Sequence, residues 1–434
     1  MTKRVIAALV VSLAMPVAAA AAPETTAVTR HVLPNGMTVL IRESRVARVV
    51  AASLQVAAGS VSETRETAGI TSFVHRVIVR GTGRHSATQL AEAAEDLGGS
   101  VSGSSDAEHA EIHGRALAQH WDALLTLMAD VAISPAFRED EIERVRRLML
   151  ADIQARADRP LASAMDALMR DLYGRHPYGL PLAGTRESIA AISRQALVAH
   201  YQRIYRPDRM VLAVSGDVIR GDVLKRVERL FGRLERTPLD PAPEPEPPIP
   251  TRQRRVIEQP ARQAQVVVGY LTPAFGDADY AASKVLAAVL GSGTSGRIFR
   301  ELRERQGLAY ALGVSNPSRR GPAAFVAHIG TEAPNIAAAE AGIRAEIDRA
   351  RAEPPTADEL ERAKAYILGT LAMDRRTNSR QAWYLAFYEL IGVGWDFPSR
   401  YATSIEAVTA DAVLAAARRY LTSPTSVVLT PKAR

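Results

Sequence analysis

The feature that most constrains the fold of this chain is an internal duplication. Asp140-Glu141-Ile142-Glu143-Arg144 is echoed by Asp358-Glu359-Leu360-Glu361-Arg362, and each run opens an amphipathic helix after a proline-containing turn. Further along, Ser188-Ile189 is echoed by Ser404-Ile405, with a helix and then a terminal strand after each copy. Because the echoes keep a nearly constant separation, they predict two copies of one folding unit of roughly 200 residues.

Strand and helix patterns occur together within each copy. Val28 to Leu33 and Met37 to Ile41 flank Pro34-Asn35-Gly36, which indicates a hairpin because Asn and Gly both tolerate positive φ. Helical patterns dominate from Trp121 to Tyr205, and a strand follows from Met210 to Val214. The predicted fold class is therefore α+β, with two homologous domains that each pack a mainly antiparallel sheet with helices.

Composition predicts where one domain ends and the next begins. Proline and acidic residues are densest at residues 236–250, which is typical of a stiff interdomain linker. We assign the linker to residues 236–254, the N-terminal domain to residues 23–235 and the C-terminal domain to residues 255–434. The first strand of the second domain is predicted at Gln265 to Gly269.

Residues 1–22 have the composition of a secretory signal peptide. Lys3 and Arg4 precede an apolar run from Val5 to Val17, and alanines lead to a cleavage point near Ala22. The alternative, a membrane anchor, needs about 20 apolar residues with anchoring flanks. We expect an exported, soluble protein of the periplasm, with no membrane span after signal removal.

Composition also excludes some kinds of chemistry. The chain contains no cysteine, which rules out disulfides, thiolate ligands and a cysteine nucleophile. The net charge of +7 is scattered, without a basic patch interleaved with aromatic residues. We therefore expect no nucleic-acid partner.

The segment from Gly69 to Thr82 holds the candidate active-site positions. Its apolar residues recur at three- and four-residue steps, which predicts a half-buried helix. Ser72, His75 and Arg76 have the spacing with which H-x-x-E-H presents two zinc ligands and a general base from one helix.

Landmarks along the whole mature chain resemble the pitrilysin and insulinase family of inverzincin metallopeptidases, especially bacterial relatives of the mitochondrial processing peptidase. They include Pro34-Asn35-Gly36, Leu97-Gly98-Gly99, His176-Pro177-Tyr178-Gly179 and the long segment from Gly291 to Tyr310. The resemblance implies a duplicated half-barrel unit of a clamshell peptidase. It also implies four homologous domains per peptidase, so this chain needs a homologous partner.

The zinc site of this family is degenerate here. The family pattern assigns Ser72 to the first histidine, His75 to the glutamate base, Arg76 to the second histidine and Asp152 to the downstream ligand. Serine is a poor zinc ligand, and arginine puts a positive charge at the metal position. We therefore expect no metal in this chain.

Three of these residues leave alternatives open. One interpretation makes His75 a relic base or a new ligand. The other, which we prefer, makes it a polar residue near the old cleft or a subunit contact. An ion pair between Arg76 and Asp152, in place of the metal, is a further hypothesis.

A second candidate metal site is the run His109-Ala110-Glu111-Ile112-His113. On a strand these three polar side chains would share one face, but neighbours along it are separated by about 6 to 7 Å, too far for a compact site. We prefer a solvated face. At the neighbouring strand, Ser102-Gly103 replaces the family's Asn-Ala, which puts substrate binding at this sheet edge in doubt.

Arg303 and Tyr310 match an arginine and a tyrosine that family members place seven residues apart, in the half opposite the zinc. The resemblance implies that both donate hydrogen bonds to the substrate carbonyl; the other interpretation is a surface arginine and a packed tyrosine. We expect a non-catalytic subunit of a heterodimeric zinc metallopeptidase, whose partner carries H-x-x-E-H and zinc and cleaves peptides. The alternative is a structural or assembly subunit with no role in proteolysis.

Overall fold

The computed structural model describes residues 27–236, 246–249 and 251–432. The predicted signal peptide, residues 1–22, lies outside the described residues, as do positions 237–245 and 250 of the predicted linker.

The first half of the chain builds a six-stranded sheet with the strand order β1-β2-β6-β3-β5-β4. Its pairs are antiparallel except for β2 with β6. The predicted hairpin at Pro34-Asn35-Gly36 joins β1 to β2. The strands are β1 Val28–Val32, β2 Thr38–Glu43, β3 Val49–Val56, β4 Ser100–Ser105, β5 Ala110–Leu117 and β6 Met210–Gly216.

The second half builds a five-stranded sheet with the order β7-β11-β8-β10-β9, in which only the β7–β11 pair is parallel. Its first strand begins at Gln253, earlier than the predicted strand at Gln265 to Gly269 and just inside the predicted linker. The strands are β7 Gln253–Gln259, β8 Ala264–Thr272, β9 Ala311–Ser315, β10 Ala323–Thr331 and β11 Thr425–Pro431.

Helices pack on both sheets. Those of the first half are α1 Ile70–Ile78, α2 Ala87–Asp96, α3 Trp121–Ile133, α4 Glu139–Ala157, α5 Pro160–Tyr173, α6 Arg186–Ala191, α7 Arg194–Ile204 and α8 Arg220–Phe231. Those of the second half are α9 Tyr280–Gly291, α10 Arg297–Phe299, α11 Ile336–Ala352, α12 Ala357–Asp374, α13 Asn378–Leu390, α14 Phe397–Ala407 and α15 Ala410–Tyr420. A π-helix over Arg300–Arg305 continues α10.

The predicted α+β class and the duplication are confirmed. The first pair of echoed runs opens α4 and α12, and the second pair lies in α6 and α14. Each copy then continues with a helix and an interior strand, β6 or β11, and in the first half α8 follows β6. The domain boundaries themselves stay predictions.

The two halves exchange one helix each. Helix α5 of the first half packs on the second sheet, where Leu168 and Leu172 join Val267 and Val427 in one buried cluster. Helix α13 of the second half packs on the first sheet, where Ala382 joins a cluster with strands β2 and β6. Each sheet therefore has one face covered by its own helices and the other face covered by a helix from the opposite half. No helix in the described parts of the chain has the length and apolar character needed to cross a membrane.

The exchange predicts that the two halves unfold together. Leu168 is fully buried, and the position of a Cβ on Gly269 of β8 would lie 3.1 Å from Leu168 Cδ2. We expect Leu168→Ala to lower the free energy of unfolding by about 2–5 kcal/mol, within a single urea transition monitored by circular dichroism. The control Leu148→Ala, at a half-exposed position of α4, should cost about 0.5 kcal/mol or less. Two separate transitions, with only one of them affected, would contradict this prediction.

Candidate functional site

Helix α1 is held at its N-terminus by a carboxylate from outside the helix. Its N-cap is Gly69, with φ 85°, which provides no side chain to accept from the first backbone amides. Buried Glu63 does so instead, accepting from the amides of Gly69 at 2.8 Å and Thr71 at 2.9 Å. Burial raises the pKa of Glu63 despite these hydrogen bonds. The start of α1 is therefore held by contacts that involve none of the degenerate zinc positions.

His75 lies on the buried side of α1. Its Nδ1 donates to the carbonyl oxygen of Thr71 at 2.8 Å, and its Nε2 is 2.8 Å from the hydroxyl of Tyr205, which therefore donates to it. The two rings stack with centroids 5.6 Å apart. Burial lowers the pKa of His75 to about 4, which keeps the ring neutral at pH 7. A subunit contact, one of the two forms of the preferred interpretation, is wrong for this residue, because the side chain has no exposed surface.

Ser72 and Arg76 lie one turn apart on the other side of α1, where both are half-buried. Arg76 Nη1 donates to Asp152 Oδ2 of α4 at 2.7 Å, so the structure contains the ion pair that the sequence suggested. The exposed fractions of the two side chains are 39% and 59%. A pair this exposed stabilises a fold by about 0–1 kcal/mol, which makes it a weak tie between α1 and α4.

These residues do not fit a zinc ion. Both ring nitrogens of His75 already form hydrogen bonds within the protein. The Arg76 guanidinium carries a positive charge at a position where a zinc ligand would be needed. Across residues 27–236, 246–249 and 251–432, no group of three or more His, Cys, Asp or Glu side chains is arranged to hold a metal.

A hollow of about 510 Å³ adjoins the degenerate position. Its lining comes from the end of α1, the start of α2, the edge strand β4 and the middle of α4, and includes Arg76, Arg80, Leu90, Val101 and Leu148. The chain therefore keeps a concave surface where the zinc ligands of the family would lie.

The glycine of β4 has a packing role that its sequence did not reveal. A Cβ on Gly103 would lie 2.4 Å from the carbonyl oxygen of His75. Strand β4 is thus in close contact with the backbone of α1 at the centre of the sheet edge. Because Gly103 has no side chain, the backbones of β4 and α1 can approach each other this closely.

The expected solvated face at His109, Glu111 and His113 is wrong for two of its three residues. His109 and Glu111 are buried, and only His113 is exposed. His109 contacts the rings of Trp383 and Phe387 of α13, while Glu111 Oε1 accepts from Ser53 at 2.6 Å. The physical reason is the exchange of helices, since α13 covers the polar face of the first sheet.

Arg303 and Tyr310 lie on an exposed segment of the second half. Arg303 is in the π-helix, with its guanidinium carbon 5.2 Å from the ring centroid of Phe299. Tyr310 is 65% exposed, and its amide donates to the carbonyl of Gly330 at 3.1 Å at the start of the edge strand β9. A π-helix is rare and occurs often at functional sites.

The segment that carries Arg303 is anchored by a buried ion pair. Arg297 donates to the two carboxylate oxygens of Glu359 at 3.0 and 2.6 Å, and their side chains are 2% and 8% exposed. Hydrogen bonds from Arg297 hold the pKa of Glu359 down to about 2, although burial opposes this. Removing one partner of such a pair costs about 3–5 kcal/mol, so the π-helix is firmly fixed to α12.

Comparisons with known proteins agree with this architecture. Residues 38–186 match the family model described as insulinase (peptidase family M16), and residues 191–367 match the one described as peptidase M16 inactive domain. An uncharacterized zinc protease of Mycobacterium bovis is 30% identical over 68% of this chain and 67% of its own length. The chain belongs to peptidase family M16.

Other proteins resemble this chain over a larger share of its length. An uncharacterized zinc protease of Bacillus subtilis is 27% identical over 81% of this chain and 86% of its own length. The crystal structure of a Helicobacter pylori protease covers 94% of this chain, with a TM-score of 0.88 and 21% identity. A structure described as a peptidase M16 inactive domain from Pseudomonas fluorescens also covers 94% of the chain, with a TM-score of 0.86 and 24% identity. These two structures support the fold alone.

Arg80 of this M16 site was not predicted from the sequence, and Glu63 was noted only as a landmark before the helix, without its capping role. The spacing of Arg76 and Arg80, four residues apart, was the available signal for Arg80, since residues at this spacing lie close together at the end of a helix. No local pattern identifies Glu63 as the cap of α1, because a cap seven residues before the start of the helix depends on how the intervening turn folds.

The buried histidines predict a loss of stability on mild acidification. The pKa values are lowered by burial to about 4 for His75 and His109 and about 3 for His200, against 6.5 in an exposed histidine. Between pH 6.5 and 4 the unfolded chain binds protons that the folded chain does not, so stability is full above pH 6.5 and falls below it. We expect His75→Gln to reduce the slope of unfolding free energy against pH by up to about 1.4 kcal/mol per pH unit.

Urea unfolding of the wild type and variants at several pH values checks this. The control Leu148→Ala, which removes no titratable group, should leave the slope unchanged. Equal slopes for His75→Gln and the wild type would contradict the assignment of His75 as a neutral core residue.

Proposed function

We propose that this protein is the non-catalytic subunit of a heterodimeric zinc metallopeptidase that cleaves peptides in a closed chamber. Its partner is a homologous chain that carries H-x-x-E-H and the zinc. The observation that carries the proposal is an asymmetry within this chain. The zinc positions of the first half are occupied by a buried neutral histidine and an arginine paired with Asp152, whereas Arg303 and Tyr310 of the second half are exposed.

Arg303 and Tyr310 supply hydrogen-bond donors to the peptide bound at the partner's site. A guanidinium and a phenol both suit a peptide carbonyl oxygen, on which negative charge develops during hydrolysis. A rigid support increases the value of such donors, because they then need no reorganisation during the reaction. The buried pair of Arg297 with Glu359 gives Arg303 this support.

The proposal extends to the compartment in which the complex works. The signal-like composition of residues 1–22 supports export to the periplasm. There the two subunits would act together on exported peptides.

An assembly or structural subunit without a role in proteolysis is the competing function. A subunit of that kind does not need an exposed arginine and tyrosine at these positions. The activity of complexes with Arg303 or Tyr310 substituted separates the two functions.

We expect the purified chain to bind no stoichiometric zinc and to cleave no peptide alone, but to be required for cleavage by its H-x-x-E-H partner. In that complex, Arg303→Ala or Tyr310→Phe should lower kcat/KM for a fluorogenic peptide by about 10²- to 10³-fold, the effect of losing one oxyanion donor. Metal analysis and initial rates of the reconstituted complex check both statements.

The matched control is Arg305→Ala, which removes the same charge from a side chain that is 75% exposed in the same π-helix. Its complex should keep wild-type activity. Zinc-dependent proteolysis by the chain alone would overturn the proposal. Unchanged activity of the Arg303→Ala and Tyr310→Phe complexes would favour the assembly function.

A further inference from the structure

The hollow beside the degenerate zinc position has one charged side chain whose hydrogen-bonding capacity is unused. Arg80 follows α1 and lines the hollow together with Arg76. Its Nε is buried and has no hydrogen-bond partner among the described residues, and no carboxylate there forms an ion pair with its guanidinium. A buried polar group without a partner is costly, and a charged one more so.

The rest of the lining favours an anion over a cation. Helix α2 begins at Ala87, which also lines the hollow, so the positive end of its dipole lies at the same space. Strand β4 contributes Ser102, which can donate a hydrogen bond. The carboxylate of Asp152, which lies nearby, is already paired with Arg76.

The hollow also has apolar walls beside these charges. Leu90 and Val145 form its buried part, and the side chain of Leu148 is 48% exposed at its rim. A small inorganic anion would leave these surfaces uncovered. A peptide segment in which an apolar side chain adjoins a carboxylate would pair with the accessible part of the Arg80 guanidinium and cover the apolar surface at once.

We infer that this hollow is a carboxylate-binding site for an acidic peptide segment, with Arg80 as its principal anion ligand and Arg76 as the second. The inference rests on the proposed function and deepens it, because it names the class of peptide that the non-catalytic subunit holds. The family's metal position has thus become a position for the opposite charge.

The carboxylate can come from an acidic side chain or from a free C-terminus, and three labelled peptides distinguish them. The first carries Leu beside Asp and an amidated C-terminus, the second carries Asn in place of Asp and a free C-terminus, and the third is neutral at both places. Fluorescence anisotropy with the purified single chain, without any partner, measures their affinities. We expect one or both carboxylate peptides to bind and the neutral peptide to bind at least about tenfold more weakly.

Substitutions of Arg80 and of Asp152, the ion-pair partner of Arg76, should change the affinity for the carboxylate peptide in opposite directions. Arg80→Gln should weaken binding of the carboxylate peptide by about 10- to 100-fold. Asp152→Asn releases Arg76 from its ion pair and should tighten binding by up to about fivefold. The control Arg229→Gln, on the exposed side of α8, changes the net charge equally and should leave the affinity unchanged.

The proposal is overturned if the carboxylate and neutral peptides bind the wild type equally, or if Arg80→Gln binds like the wild type. A structural role for Arg80 at the end of α1 would lower stability without changing the preference for acidic peptides. If Arg80→Gln fails to fold, weaker or unchanged binding by Asp152→Asn overturns the proposal in its place. Since peptide binding is measured on the single chain and Arg303 is tested in the complex, either proposal can fail without the other.

Discussion

The reciprocal packing of α5 and α13 is the constraint on which the rest of the structure depends. Each sheet has two faces to cover, and each half supplies only enough of its own helices for one of them. A sheet with an uncovered apolar face is not stable in water. Val267 and Val427 would be exposed without α5, as would Leu40 and Ala213 without α13. The duplicated units therefore share their packing and are expected to unfold together, although their sequences repeat like separate domains.

The same constraint explains why some of the structure could be predicted from sequence and some could not. Apolar spacing predicted α1, and Asn35-Gly36 predicted the first hairpin, because both signals are local. The burial of His109 and Glu111 depends on Trp383 and Phe387, which lie more than half the chain away. Helical periodicity shows that a helix has an apolar side but not which sheet that side covers. Polar residues on a strand consequently looked solvated when α13 in fact covers them.

The candidate site divides in the same way. The identities of Ser72 and Arg76 are enough to expect no zinc ligation by these two side chains, since ligation depends on the side chain itself. The state of His75 was not predictable, because its neutrality follows from burial against Tyr205, which directly follows the distant helix α7. The importance of Arg297 was also hidden, since a buried arginine looks like any surface arginine until Glu359 is placed beside it.

The packing of α1 depends little on Ser72, Arg76 and Asp152, the positions that the family resemblance assigns to zinc ligands. Glu63 caps the helix, Phe73 and Val74 bury its apolar side, and His75 closes a hydrogen-bond chain to Tyr205. Against these contacts the exposed pair of Arg76 with Asp152 contributes little. Loss of that ion pair is therefore expected to cost the chain little stability. A site that bears little of the fold's stability can change its side chains, and Arg76 places a positive charge where the family resemblance assigns a zinc ligand.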